Sequence, residues 1–156
     1  MTVSGWSTST IRIPGIFLIW ALLPGCKVPH SPPAASAPGS DLYHVACAAC
    51  HQPDGKGLEG IAPPLANSAW VDAPDEVLIR IVLHGIRGPL NAKGQAYNLE
   101  MPAMGFFTDV EVAAVLSYIR ERWSVSAKAI QAEQVRYIRT KKRTDSWTLE
   151  ELGWPP

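Results

Sequence analysis

The sequence predicts a mainly α-helical fold of three to five short helices, with an extra helical tail at the C-terminus and no substantial sheet. Two stretches, 75–84 and 108–123, carry apolar residues at helical spacing. The 14 prolines and 12 glycines cluster instead of spreading evenly along the chain, which is typical of long loops between short helices. A chain of 156 residues is long enough for one domain with appendages.

Local signals place the individual helices. A short helix should cover residues 41–46, and a second should start near residue 75. A Thr-x-x-Glu capping box opens a third helix, which should span 108–123. Residues 129–142 are expected to form a helix in the tail, and a further Thr-x-x-Glu pattern at 148–151 should open a last turn.

The formal net charge is zero, but the charges are unevenly distributed along the chain. Residues 41–119 hold nine acidic and four basic residues (−5), residues 120–143 hold two acidic and eight basic residues (+6), and residues 144–156 contribute −3. This separation favours two solvated faces of opposite sign, which can orient the protein against a charged partner at low salt. No basic patch with interleaved aromatic residues lies in the acidic segment, so nucleic acid is not an expected partner.

The first 25 residues are expected to be a lipoprotein-type signal peptide. An apolar run at 13–23 follows Arg12, and it is too short to span a bilayer but typical of a signal peptide. The run ends in Leu-Pro-Gly-Cys, which resembles the bacterial lipobox and implies lipidation of Cys26. A cleaved soluble export and an uncleaved anchor are the alternatives. All three place the rest of the chain on the periplasmic or extracytoplasmic side of a membrane.

Residues 26–40 are expected to be a flexible tether between that anchor and the folded domain. Most of this stretch, at 29–40, is rich in Pro, Ala and Ser and carries no Lys, Arg, Asp or Glu. Such a composition buries little apolar surface and favours an extended chain of up to about 3 Å per residue. A tether of this kind would let the domain move between partners at the membrane.

The motif that carries the chemistry is Cys47-Ala48-Ala49-Cys50-His51, the Cys-x-x-Cys-His pattern of covalent haem attachment. On a helical turn, two cysteines three residues apart lie on the same side and can reach both vinyl groups of one haem. The adjacent histidine then presents its imidazole to the iron. We therefore expect one covalently bound haem c, with thioethers at Cys47 and Cys50 and with His51 as the proximal iron ligand.

Three other interpretations of the two cysteines are weaker. A thioredoxin-like redox pair needs a preceding strand in a βαβ unit, whereas a Pro-rich stretch and a short helix precede this motif. A zinc site needs a second pair of Cys or His ligands, and none follows at ligand spacing. A disulfide between cysteines three residues apart would restrain almost nothing.

The surrounding string DLYHVACAACHQPDGKG resembles the N-terminal helix and haem-binding turn of class I cytochromes c. The resemblance extends over residues 41–123 and implies a cytochrome c-like fold around one haem, in which the last helix crosses the first at close range. In that family a glycine-rich turn follows the histidine, and a proline segment supplies a backbone carbonyl to its second ring nitrogen. In this sequence Pro63 or Pro64 would supply the oxygen that orients His51.

The second axial ligand is sought on the loop LEMPAMG, which carries two methionines. Class I cytochromes c commonly present their axial methionine in a Met-Pro-x-x segment before the last helix, so the resemblance implies Met101 as the distal iron ligand. Met104 is the alternative, and His44, His84 or an open site are further ones. A methionine opposite a histidine fills both axial positions and raises the reduction potential relative to two nitrogen ligands.

Residues 84–98, the methionine loop and the following helix resemble haem domains attached to large bacterial dehydrogenases that oxidise alcohols or sugars. The resemblance implies an electron carrier, not an enzyme, with no small-molecule substrate. Its donor would be a periplasmic dehydrogenase, and its acceptor a cytochrome or a terminal oxidase. The alternative is a haem enzyme or gas sensor, such as a small peroxidase, with an open or displaceable sixth ligand.

Residues 124–156 are expected to form a helical, basic tail beyond the haem domain. No chemistry is assigned to this tail. Its basic cluster is interpreted mainly as a solvated face, with contact to anionic lipid and docking of a partner as alternatives. The cluster consists of Arg136, Arg139, Lys141, Lys142 and Arg143.

Overall fold

The computed structural model describes residues 38–98 and 100–154. The predicted signal peptide, the lipidation site at Cys26 and the tether up to residue 37 therefore lie outside the described residues. Within the described ranges, no helix is both long enough and apolar enough to cross a membrane.

The described part of the chain is mainly helical, as the sequence predicted, with six short α-helices, a 3₁₀ turn and one small sheet. In chain order the elements are α1 (Gly39–Ala46), α2 (Ala48–His51), the 3₁₀ turn (Ala69–Asp72), α3 (Asp75–His84), β1 (Leu90–Ala92), β2 (Gln95–Tyr97), α4 (Asp109–Trp123), α5 (Ala132–Arg139) and α6 (Leu149–Leu152).

Helix α1 begins at Gly39 rather than at residue 41, and its first turn packs directly against α4. A Cβ atom on Gly39 would lie 2.2 Å from the backbone oxygen of Ala114, so a larger residue would force the two helices apart. Tyr43 is fully buried at this crossing, with its ring 5.6 Å from that of Tyr118 and 5.2 Å from that of Trp123. The close crossing of the first and last helices of the domain, implied by the family resemblance, is present.

Helices α3 and α4 begin where the local signals predicted. The Thr108 hydroxyl accepts a hydrogen bond from the Glu111 amide at 3.3 Å, and the Glu111 carboxylate accepts one from the Thr108 amide at 2.8 Å. This reciprocal capping box satisfies two amide groups that the first turn of a helix leaves without partners. The apolar stripes of both helices are buried: Val77, Leu78, Ile79, Ile81, Val82 and Leu83 on α3, and Val112, Ala113, Val115, Leu116 and Ile119 on α4.

A small hairpin at residues 90–97 was not predicted from the sequence. Strand β1 pairs antiparallel with β2, so that Leu90 lies opposite Tyr97. Lys93 and Gly94 form the two-residue turn, both with positive φ, at 53° and 82°, as a type I′ turn requires. The glycine is a visible turn signal, but three-residue strands are too short to show an alternating pattern.

The C-terminal segment 124–154 packs into the same core as the preceding helices. Helix α5 contacts both α3 and α4, and it is shorter than the predicted helix at 129–142. Four apolar residues of this segment are buried in that core, Ile130, Val135, Ile138 and, on α6, Leu152, whereas Val125 and Tyr137 are exposed.

Candidate functional site

An apolar cavity that opens to solvent lies beside α2, α3 and α4. Cys47 and His51 line it from the Cys-x-x-Cys-His turn, and Met101 and Met104 line it from the methionine loop. The structure thus brings together side chains that lie about fifty residues apart in the sequence. The remaining walls are apolar: Pro63, Leu65, Trp70, Val71, Leu78, Ile81, Val82, Ile86, Leu90, Phe107, Val115, Leu116 and Ile119.

The two cysteines occupy one helical turn, as the spacing predicted. Helices α1 and α2 meet at Cys47, whose backbone oxygen accepts hydrogen bonds from the amides of Cys50 at 3.1 Å and His51 at 2.9 Å. Cys47 is half-buried, Cys50 is exposed, and neither forms a disulfide. Burial, together with the neighbouring Cys50, raises the pKa of the Cys47 thiol to about 11.

His51 is buried, with 8% of its surface exposed, and its Nδ1 lies 2.9 Å from the backbone oxygen of Pro63. A carbonyl oxygen can only accept a hydrogen bond, so Nδ1 carries the proton and Nε2 keeps its lone pair. Burial lowers the pKa of His51, although the hydrogen bond to Pro63 opposes this shift. The imidazole is therefore neutral at neutral pH and is fixed in the tautomer whose second nitrogen can bind a metal.

The turn after His51 determines the position of that carbonyl. The amide of Gly57 donates to the backbone oxygen of His51 at 2.9 Å, and Gly57 has a φ of 73°. A Cβ atom there would lie 2.3 Å from the oxygen of Ala62 and 2.8 Å from that of Pro63. Only glycine combines this φ with this close approach, so the Asp-Gly-Lys-Gly turn helps to place the hydrogen-bond partner of His51.

Both methionines reach the cavity, and both are tied to the end of α3 through their backbones. Met101 exchanges two hydrogen bonds with Ile86, with N···O distances of 2.9 and 3.2 Å. The amide of Met104 donates to the backbone oxygen of Val82 at 2.8 Å. Both side chains are half-buried. The loop therefore presents two thioether sulfurs, which are soft neutral ligands for iron.

His44 and His84 do not line the cavity. His44 is exposed on α1, and the ring of His84 faces that of Trp147 at 6.4 Å. Burial and the nearby Arg143 and Arg139 lower the pKa of His84. In the described part of the chain, no cluster of three or more His, Cys, Asp or Glu side chains could hold a metal ion, so the zinc interpretation gains no support.

Several residues that line the cavity were not predicted from the sequence. Ile86, Leu90 and Phe107 line it, but none lies on a helix, so helical periodicity could not find them. Phe107 packs against Phe106 in a tilted arrangement with ring centroids 4.7 Å apart, and Phe106 is 74% exposed. A Phe-Phe pair directly after the methionine loop was the available signal.

Comparison with known proteins agrees with this geometry. The family model described as Cytochrome c matches residues 36–123. The chain is 37% identical over 126 residues to cytochrome c-552 of Thermus thermophilus, an alignment that covers 75% of this chain and 84% of that protein.

Two cytochrome subunits of dehydrogenases are also similar. The chain is 30% identical over 123 residues (74% of this chain) to the cytochrome c subunit of alcohol dehydrogenase (quinone) from Gluconobacter oxydans. It is 37% identical over 111 residues (67% of this chain) to the gluconate 2-dehydrogenase cytochrome c subunit of Pantoea cypripedii. The alignments cover 25% and 24% of the length of these two subunits.

The fold, the cavity and these similarities define a small electron-transfer protein rather than an enzyme. The chain belongs to the cytochrome c family and carries haem c. The residues present fit that cofactor, because a neutral, oriented imidazole and a half-buried cysteine line a cavity whose other walls are apolar. When bound, haem supplies an iron centre that accepts and releases one electron at a time.

Proposed function

We propose that this cytochrome holds one haem through thioethers at Cys47 and Cys50, with His51 and Met101 as the axial iron ligands. It would accept single electrons from a periplasmic dehydrogenase and pass them to a respiratory acceptor, such as a cytochrome or a terminal oxidase. The observation that carries the proposal is the convergence of Cys47, His51 and Met101 on one apolar cavity.

The protein's own residues have three tasks in this proposal. The backbone oxygen of Pro63 accepts a hydrogen bond from Nδ1 of His51. This bond fixes the orientation of the proximal ligand and increases its basicity. The apolar walls exclude water from the cofactor. Met101, tied to Ile86 by two backbone hydrogen bonds, would fill the remaining iron position. With both axial positions occupied, no place remains for oxygen or a substrate.

The proposed partners are redox proteins, with neither nucleic acid nor a small-molecule substrate. The similarity to cytochrome subunits of alcohol and gluconate dehydrogenases supports a dehydrogenase as the donor. The exposed ring of Phe106, which packs against Phe107 of the cavity wall, offers a partner an apolar contact beside the cofactor.

The proposed location is the periplasmic face of a membrane, with a lipid on Cys26 as the anchor. Residues 1–25 would be the signal peptide, 26–40 the tether, 41–123 the haem domain and 124–156 its extension. The apolar run and the lipobox-like tetrapeptide support this arrangement. A Cys26→Ser variant should move from the membrane fraction to the soluble periplasmic fraction; an unchanged distribution would mean that Cys26 is not the anchor.

Absorption spectra of the haem-loaded protein test the axial ligands. The oxidised wild type should show the weak red-region band of a methionine–iron bond. Met101→Ala should lose this band, whereas the matched variant Met104→Ala should keep it, because only the ligand sulfur produces it. The reverse pattern would make Met104 the ligand. A wild type that lacks the band and binds carbon monoxide when reduced at neutral pH would favour the gas-sensor or peroxidase alternative.

A further inference from the structure

One arginine of the C-terminal segment holds the loop that follows the two methionines. Arg139 lies on α5, outside the segment that matches the cytochrome c family model. Its Nε donates to the carboxylate of Asp109 at 2.7 Å, and its two terminal nitrogens donate to the backbone oxygens of Gly105 at 2.9 Å and Phe107 at 2.6 Å. A single guanidinium therefore satisfies three acceptors between the second methionine and the start of α4.

A second contact from the same segment supports the first methionine. The amide of Trp147 donates to the oxygen of Gly85 at 3.0 Å, and its oxygen accepts from the amide of Arg87 at 2.8 Å. Trp147 thus pairs in parallel with Ile86, while the amide and oxygen of Ile86 itself pair with Met101. Ile86 lies between the tail and the methionine loop and is hydrogen-bonded to the loop on one side.

A guanidinium can hold the three acceptors around Arg139 at once, which a lysine ammonium could not do as well. A guanidinium presents donors in a fixed plane and can bind several acceptors at once, whereas an ammonium acts as a point charge. The loop between Met104 and α4 has few hydrogen bonds of its own, such as that from the Phe107 amide to the Met104 oxygen at 3.1 Å. Arg139 therefore adds to the backbone hydrogen bonds of Met101 and Met104, and it does so from 30 to 34 residues further along the chain.

We propose that Arg139 is a positioning residue for the axial methionine. Its three hydrogen bonds keep the methionine loop closed over the cavity, so that the sixth iron position stays occupied and exogenous ligands are excluded. This inference rests on the proposed His51 and Met101 ligation. It gives part of the basic tail cluster a role in keeping this cytochrome a pure electron carrier.

The test compares haem-loaded, full-length variants at Arg139 with a matched variant at Arg136. Arg136 lies on the same helix, but its side chain is 67% exposed and its Nε is 3.7 Å from Asp109. In Arg139→Gln, the affinity of the oxidised protein for imidazole should rise by roughly tenfold or more, because charge-assisted hydrogen bonds that close the loop are lost. Arg139→Lys should lie between this variant and the wild type, and Arg136→Gln should match the wild type.

Amide hydrogen exchange separates this inference from the question of ligation. In Arg139→Gln, the amides of Met101 and of 103–107 should exchange faster, while those of α1 and α3 keep their rates. If the wild type shows no methionine band, the proposed ligation fails, and the exchange rates alone then decide whether Arg139 holds the loop. Unchanged exchange in the loop, or an increase spread equally over α1 and α3, would overturn the inference.

Discussion

The histidine side and the methionine side of the cavity are held by contacts of very different sequence separation. His51 bonds to Pro63, 12 residues away, and the hydroxyl of Tyr43 donates to the oxygen of Gln52, nine residues away, at 2.6 Å. The methionine loop is held by backbone hydrogen bonds to the end of α3, across the intervening hairpin, and by Arg139, at separations of 30 to 34 residues. The histidine side is therefore a local structure, whereas the methionine side needs the completed tertiary fold.

This difference has an energetic consequence. Closing a short segment costs less conformational entropy than closing a long one, so the turn around His51 can form early and remain closed. The methionine loop is held by contacts to α3 and α5, which form only when the tertiary structure is complete. It should therefore open more readily than the turn around His51. We therefore expect substitutions on the histidine side to affect cofactor attachment and folding, and those on the methionine side to affect ligand exchange.

The largest expected effect is on the histidine side, from His51→Ala. The variant lacks the imidazole that lines the cavity. No other histidine of the described residues can replace it, because the exposed His44 and the distant His84 do not line the cavity. We expect loss of stably bound haem rather than a partial decrease, measured by haem staining after denaturing electrophoresis and by the absorption spectrum. His44→Ala is the control and should carry haem like the wild type. Normal haem content and spectrum in His51→Ala would refute the assignment.

A second substitution on the histidine side measures how tightly the turn is packed. Gly57→Ala places a Cβ 2.3 Å from the Ala62 oxygen at a positive φ, and should cost about 3 kcal/mol from backbone strain and overpacking. Gly60 also has a positive φ, 70°, but a Cβ there meets nothing within 4 Å. Gly60→Ala should therefore cost about 1 kcal/mol, from backbone strain alone. Equal losses in chemical denaturation would mean that the turn tolerates the added methyl group.

A smaller effect is expected where the tail joins the haem domain, at Asp75. Its carboxylate accepts hydrogen bonds from Arg120 at 2.6 Å, Gln134 at 2.7 Å and Lys128 at 3.0 Å. Burial alone would raise the pKa of Asp75, but these three donors outweigh it and lower the pKa to about 2. Because the folded-state pKa lies below the ordinary value of 3.8, the stabilisation is complete above about pH 4 and is lost as the pH falls towards 2.

The pH dependence can be measured by urea unfolding of the wild type and Asp75→Asn. The wild type should be more stable by about 2 kcal/mol at pH 7, and the difference should shrink below pH 4. Asp72→Asn is the control, since Asp72 lies nearby but is exposed and bonds to the hydroxyl of Ser124. A difference between wild type and Asp75→Asn that does not change with pH would show that the ion pairs do not carry the stabilisation.

Much of the fold and of the histidine side could be predicted because the signals are local. The spacing of Cys47, Cys50 and His51 places them on one turn, and the Thr108 capping box marks the start of α4 within one residue. The proline segment was expected to supply a carbonyl to His51, and the structure selects Pro63 over Pro64. In each case the interacting groups are no more than 12 residues apart in the sequence, so their spacing along the chain largely sets the distance between them.

The basic cluster of the tail makes contacts that could not be predicted from the sequence. Its basic cluster was interpreted mainly as a solvated face, and Lys142 is indeed exposed. Arg139, however, binds the methionine loop, and Arg143 pairs with Glu151 at 2.8 Å and lies 4.0 Å from the ring centroid of Trp147. Nothing in the local pattern distinguishes these arginines from their exposed neighbours, because their partners lie in other segments or beyond the helix.

The sequence by itself determined the cofactor, the helical class and the local geometry of the histidine side, because each depends on residue types at short, fixed spacing. The tertiary structure decided which residues close the cavity, that Val135 and Ile138 of the tail complete the core, and that Arg139 meets the methionine loop. Those contacts arise from the packing of α5 against α3 and α4. Their geometry depends on how separate helices meet in space, which no spacing along a single segment specifies.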